Sequence, residues 1–291
     1  MWRVGLDSAL MRNACPWIWK WFFGSLQFET IHSLSEVFMK ICNFHFEKLK
    51  DSKLEKSTWI GRIPRNWFNA IKGPVNYDET KQLDLELSDQ KISRAHLFEM
   101  AKNKDISTLG CCISILAWGG MKKIHGESLF RKNLDWLRLA HEIRLGGFNR
   151  VGAYQKFSAL RADNKLHGMG PAYFTKLIFF LSSNGPRGYI MDQWTSASVN
   201  LIFENIIVQT SISRQRSGKN NLEETVLDRN LPDDYELFCK GIEKIAERLE
   251  VSPECAEEMM FSSGGKHKGF WRQHVITERL KAYKCSPSKI K

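Results

Sequence analysis

The stretch "HGMGPAYFTKLIFF", His167 to Phe180, places one lysine, Lys176, inside an apolar run just after a Gly-x-Gly-Pro turn. Ala172, Tyr173, Phe174, Leu177, Ile178, Phe179, Phe180 and Leu181 make the segment apolar on almost every face of a helix. A buried ammonium is costly unless it is paired, neutralised or used. The ordinary role for such a lysine is to snorkel to the helix flank or to pair with an acid. The same apolar setting lowers an amine pKa, which is what an attacking lysine needs.

Working outward, Val151 to Leu160 has helical spacing and "LHGMGP" follows it. A second helix then opens with Pro171 at its first position, which makes a helix–hairpin–helix. Two glycines let the backbone turn tightly, and the second helix brings unpaired amides and a positive dipole end to the same place. His167, Gly168, Met169 and Gly170 are therefore candidates for a phosphate clamp blind to base sequence. The competing reading is an ordinary glycine turn between packed helices. An alanine at Gly170 is expected to crowd the phosphate approach and to strain the backbone.

Asp192 lies 22 residues beyond Gly170, after a turn and the short extended stretch "YIM", at the mouth of the next helix. It suits an N-cap, and a cap also fixes a carboxylate for catalysis. Trp194 and Trp271 offer flat faces that could hold an extruded base, although each alone is more often a core residue.

The rest of the chain reads as successive helices with sparse strand signals, so the class is mainly α. Ser93 is an N-cap, Leu129 to Leu145 marks one amphipathic helix ending at Gly146-Gly147, and Thr195 to Val208 another. Tyr235 to Leu249 is helical, Pro253 opens a further helix that Ser262-Ser263-Gly264-Gly265 closes, and the last helix carries Trp271. Residues 211–234 are polar and aperiodic and predict a long loop or mobile insertion.

At 291 residues and 43% hydrophobic, the chain can bury a large core and is not a disordered segment. The formal net charge of +11 suggests a polyanionic partner. Residues 1–47, an aromatic-rich extension with Trp17, Trp19 and Trp21, hold four basic and four acidic side chains, so the excess lies in 48–291. Seven cysteines without a C-x-x-C pair argue against a disulfide framework and predict neither a structural metal nor an iron–sulfur cluster. No run of 18 apolar residues predicts a membrane span, and the N-terminus lacks signal-peptide features.

"LHGMGPAYFTK" followed by "YIMDQW" resembles the hairpin and acidic-loop signature of the helix-hairpin-helix DNA glycosylases, and most of all the 8-oxoguanine DNA glycosylase fold group. "AWGG" at 117–120 and the late "SSGGKHKGFWRQ" are similar to further elements, so the resemblance runs from about residue 56 to 285. It implies a two-lobed, mainly helical fold over 48–291 with a cleft between the lobes and duplex DNA held by the hairpin. A damaged base would be extruded into the cleft. Asp192 falls on the family's essential aspartate. In the bifunctional members the lysine nucleophile follows the hairpin almost at once, and that position here is Ala172. Lys176 lies one turn further along the same face, similar to an archaeal branch whose lysine is displaced along this helix.

The resemblance thus implies excision of an oxidised purine such as 8-oxoguanine, with Lys176 attacking the sugar and Asp192 assisting. No cofactor is needed, the protein acts as a monomer, and its expected location is cytoplasmic and nucleoid-associated. A monofunctional glycosylase for another lesion and a catalytically idle DNA-binding module remain open alternatives.

Overall fold

The computed structural model describes residues 39–52, 59, 61–71, 83, 85–131, 134–183, 185–214, 222–261 and 269–285. The chain divides into residues 1–40 and a compact unit over 41–291. The aromatic segment expected over 1–47 therefore lies largely outside the described residues, as do 215–221 of the polar insertion and the Ser262–Gly265 helix stop.

Among the described residues the chain forms twelve helices and one two-stranded sheet, the mainly helical class expected. The helices are α1 (Asn43–Asp51), α2 (Pro64–Ile71), α3 (Arg94–Lys102), α4 (Thr108–Trp118), α5 (Lys123–Phe130) and α6 (Asp135–Arg144). After them come α7 (Arg150–Ala162), α8 (Pro171–Leu181), α9 (Gln193–Ile202), α10 (Pro232–Leu249), α11 (Pro253–Phe261) and α12 (Phe270–Cys285). The boundary expected after residue 47 falls inside α1.

Local chemistry sets many of the ends. Ser93 caps α3 by accepting the His96 amide, and Asn149 caps α7 by accepting that of Gly152. At the end of α6, Gly146 takes φ +81°, and Gly147 donates back to the Glu142 carbonyl.

Three expectations are corrected. The single helix expected over 129–145 is two, because its apolar pattern continues across a break. Phe130, at the end of α5, packs edge-on against Trp136 of α6 at 5.5 Å, so both sides of the break share one core. The helix expected to reach Val208 stops at Ile202, where the Asn200 side chain accepts the Ile207 and Val208 amides. The polar loop instead contains an antiparallel hairpin, β1 (Thr210–Arg214) with β2 (Leu222–Val226). Its register pairs Ile212 with Glu224, and Glu224 is buried against Arg279 of α12 at 2.7 Å. That charge pairing comes from far along the chain and hides the strand behind a polar composition.

Helix α8 is the centre of one group, packed on α3, α4, α6 and α7, with all but two of its side chains buried. That is the burial an all-round apolar helix requires. Helix α9 is the centre of another, packed on α1, α10, α11, α12 and β2, and α7 packs on α10 between the groups.

The extended stretch Tyr189–Met191 leads from the first group to the second. Tyr235 donates its hydroxyl to the Tyr189 carbonyl at 2.9 Å. Thr175 on α8 donates to the Pro171 carbonyl at 2.7 Å and accepts the Met191 amide at 3.1 Å. Thr175→Val keeps the shape and removes that acceptor, leaving a buried N–H without a partner. It should destabilise the fold by about 1–3 kcal/mol in urea titrations.

Candidate functional site

Lys176 and Asp192, placed on different helix groups by the backbone just described, come together. The ammonium of Lys176 lies 3.6 Å from Asp192 Oδ2, and both residues are buried, at 5% and 8% exposure. Lys176 Nζ also donates to the Ala172 carbonyl at 2.6 Å. The stem thus folds back one turn and delivers the amine to the start of α8, beside the position where the resemblance places a lysine. Space for it exists because residue 119 is glycine: a Cβ there would stand 2.7 Å from Lys176 Cδ. Gly119 ends α4, within the "AWGG" motif.

Asp192 divides its two oxygens. Oδ1 accepts the Trp194 and Thr195 amides at 2.8 and 3.2 Å, while Thr195 Oγ1 accepts the Asp192 amide, closing a capping box at the head of α9. Oδ2 is left toward Lys176. Cap and ion pair therefore coexist on one carboxylate.

Burial pulls the Lys176 pKa below its ordinary 10.5, while the charges of Asp192 and Glu257 oppose that shift. Glu257 of α11 is fully buried and pairs with Arg94 at 2.5 Å. Burial pushes its carboxyl up to about 7, against the pull of Arg94. Arg272 stands on the other side of the electrostatics: burial lowers its pKa to about 10, with Asp192 opposing. Glu257, Arg94, Arg272 and Gly119 were not singled out in the sequence. The "AWGG" likeness contains Gly119 and the "SSGGKHKGFWRQ" likeness contains Arg272, but Glu257 and Arg94 lie in neither, because buried charge pairs between distant helices leave no spacing signal.

The hairpin residues fall into different roles. His167 and Gly168 are half-buried, and the Met169 side chain is wholly buried in the core, so only its backbone remains to meet a ligand. The N–H groups of Gly168, Met169 and Gly170 donate to no protein acceptor among the described residues. Gly168 has φ +73°, and a Cβ on it would lie 2.4 Å from the His125 carbonyl oxygen. Gly170, the N-cap of α8, has φ −87° and ψ −174°, extended backbone open to any residue. Among the described residues only Asp228 Oδ1, at 3.5 Å, would touch its Cβ. The backbone strain expected at Gly170 belongs instead to Gly168.

The two tryptophans also separate. Trp194 is half-buried with the Arg272 and Arg279 guanidinium groups 4.2 and 5.0 Å from its ring centroid, so it anchors both cations beside Asp192. Trp271 is fully buried and donates to Ser198 Oγ at 2.8 Å. The structure corrects its candidacy for the base pocket: its faces are spent on the core.

A mainly helical fold, with a hairpin leading into the helix of a buried lysine and an aspartate heading the next, defines a protein of the 8-oxoguanine glycosylase fold group. Residues 53–261 match the family model described as "Putative 8-oxoguanine DNA glycosylase OGG-like protein", and the chain belongs to that family. The match ends at the close of α11, before Trp271. No curated protein and no solved structure matches. Among the described residues no helix is long and apolar enough to cross a membrane.

The glycine assignments are separable in stability. Gly168→Ala must enter the left-handed region and meet His125, so a loss above about 1 kcal/mol is expected. Gly170→Ala should stay within roughly 0.5 kcal/mol of wild type. Denaturation midpoints of the two variants check this.

Proposed function

We propose that the protein is a DNA glycosylase that removes an oxidised purine, with 8-oxoguanine the leading substrate, and that Lys176 is its nucleophile and Asp192 its acid–base partner. The observation that carries this reading is the buried Lys176–Asp192 pair, its amine brought back to the Ala172 carbonyl at the head of the hairpin helix. A lysine there has the lowered pKa that nucleophilic attack requires, and a carboxylate oxygen within reach to take its proton.

In the reaction, the neutral amine attacks C1′ of the extruded nucleotide. The bond from C1′ to the base breaks, and the departing base takes up a proton. Opening of the sugar ring then gives a Schiff base between Nζ and C1′, from which elimination can cleave the strand. Asp192 Oδ2 holds and returns the proton and stabilises positive charge on the sugar, while Oδ1 stays committed to the cap. Duplex DNA is held through phosphates by the hairpin amides at Gly168–Gly170, which carry no base information. The net charge of +11 adds long-range attraction. The protein acts as a monomer in this reading.

Borohydride should trap the wild-type protein on 8-oxoguanine duplex, and Lys176→Gln should form no adduct while still binding DNA. Asp192→Asn keeps a capping acceptor and should lower base release by roughly 10²-fold or more. Base release without any trappable adduct would favour the monofunctional alternative, and no release from any lesion-bearing duplex would leave only a binding module.

The Glu257 carboxylate holds the Lys176 pKa up, so Glu257→Gln should let the amine lose its proton at lower pH. The rising limb of trapping rate against pH should move to lower pH in the variant. Because the wild-type carboxyl itself is protonated below about 7, the two profiles should converge there. An unshifted limb above pH 7 would show that Glu257 does not act on the amine.

A further inference from the structure

We infer a transition-metal site, suited to Zn²⁺, formed by Cys42, His45 and Glu204 where α1 meets the end of α9, with His274 of α12 behind it. One ligand atom from each of Cys42, His45 and Glu204 lies within 4.8 Å of the others. Cys42 is the residue before α1, and its amide is fixed on the Ile202 carbonyl at 2.7 Å. His45 follows at i+3, so thiol and imidazole share one face of the first turn. His45 Nε2 stands 4.0 Å from Glu204 Oε1.

Two further observations set this cluster apart from ordinary packing. His45 Nδ1 is hydrogen-bonded to His274 Nε2 at 3.0 Å, an arrangement that orients the ring and leaves Nε2 as the ligating atom when Nδ1 carries the proton. Glu204 closes α9 in the left-handed conformation, φ 47°, at a position where glycine or asparagine is the usual choice. That conformation brings its carboxylate beside the imidazole, and strain of this kind gathers at functional positions.

The donor set chooses the ion. Thiolate with imidazole and one carboxylate suits Zn²⁺, whereas Mg²⁺ and Ca²⁺ take oxygen ligands. With Zn–S near 2.3 Å and Zn–N near 2.0 Å, tetrahedral donors stand roughly 3.3–3.6 Å apart. Closing the present spacing requires movement on the order of 1 Å, and the Glu204 side chain, 65% exposed, is free to make it. Three protein ligands leave a fourth position for water.

Cys42, His45 and His274 lie outside the family-matched span, and Glu204 lies within it. The site ties α1 to the far end of the helix that Asp192 heads.

The test uses the full chain, freed of metal by chelator and titrated with Co²⁺ alone, then with Zn²⁺ in competition. One equivalent of Co²⁺ should bind with a thiolate-to-cobalt charge-transfer band, and Zn²⁺ should displace it and raise the melting temperature. Cys42→Ser should lose the band and roughly 100-fold or more in affinity. Glu204→Gln alters an exposed side chain and should fold normally while binding about 10-fold more weakly, and His274→Ala should weaken binding roughly 10–100-fold. Failure of the wild type to bind stoichiometrically would overturn the inference. So would a charge-transfer band that survives unchanged in Cys42→Ser, or unaltered affinity in Glu204→Gln.

Discussion

One constraint organises the molecule: an ammonium must be kept inside a helix that is apolar almost all round. Helix α8 packs against four other helices, and Lys176 is buried among them at 5% exposure. Its charge is met by a backbone carbonyl one turn back and by the carboxylate of Asp192. Thr175, the residue before it on the helix, holds the strand-like approach to that carboxylate. The segment that buries the lysine therefore also positions its partner.

The surrounding charges extend the same logic. Lys176, Arg94, Arg272 and Arg279 are set against Asp192, Glu257 and Glu224, each on a different stretch of chain from its nearest counter-charge. Buried ion pairs of this sort are weak sources of stability, because desolvation cancels much of their attraction. Their effect here is on protonation. Glu257 pushed up to about 7 and a lysine pulled down from 10.5 share one low-dielectric region, where each group's state depends on the others.

The hairpin distributes its demands over two glycines. Gly168 supplies the left-handed turn and the close approach to α5, a requirement of the fold. Gly170 has ordinary backbone angles, and among the described residues only Asp228 comes near where its Cβ would stand, which leaves room at the head of α8. Two residues of one motif thus answer to different pressures, packing in one case and access in the other.

The sequence by itself determined the mainly helical class, the bounds of α8 and the singling out of Lys176 and Asp192. Those features rest on local chemistry: proline at a first helical position, glycines at a turn, an aspartate before a helix, and a charge in an apolar run. Tertiary structure alone decided what met them. The hairpin β1–β2 is hidden in the sequence by its polar composition, because the partner that Glu224 needs, Arg279, stands 55 positions away. Trp271 is a candidate stacking face and a candidate core residue alike in sequence, because an indole looks the same there whether its N–H finds Ser198 or water. Glu257 and Arg94 carried no periodic signal, since opposite charges on distant helices become a pair only when packing brings them together.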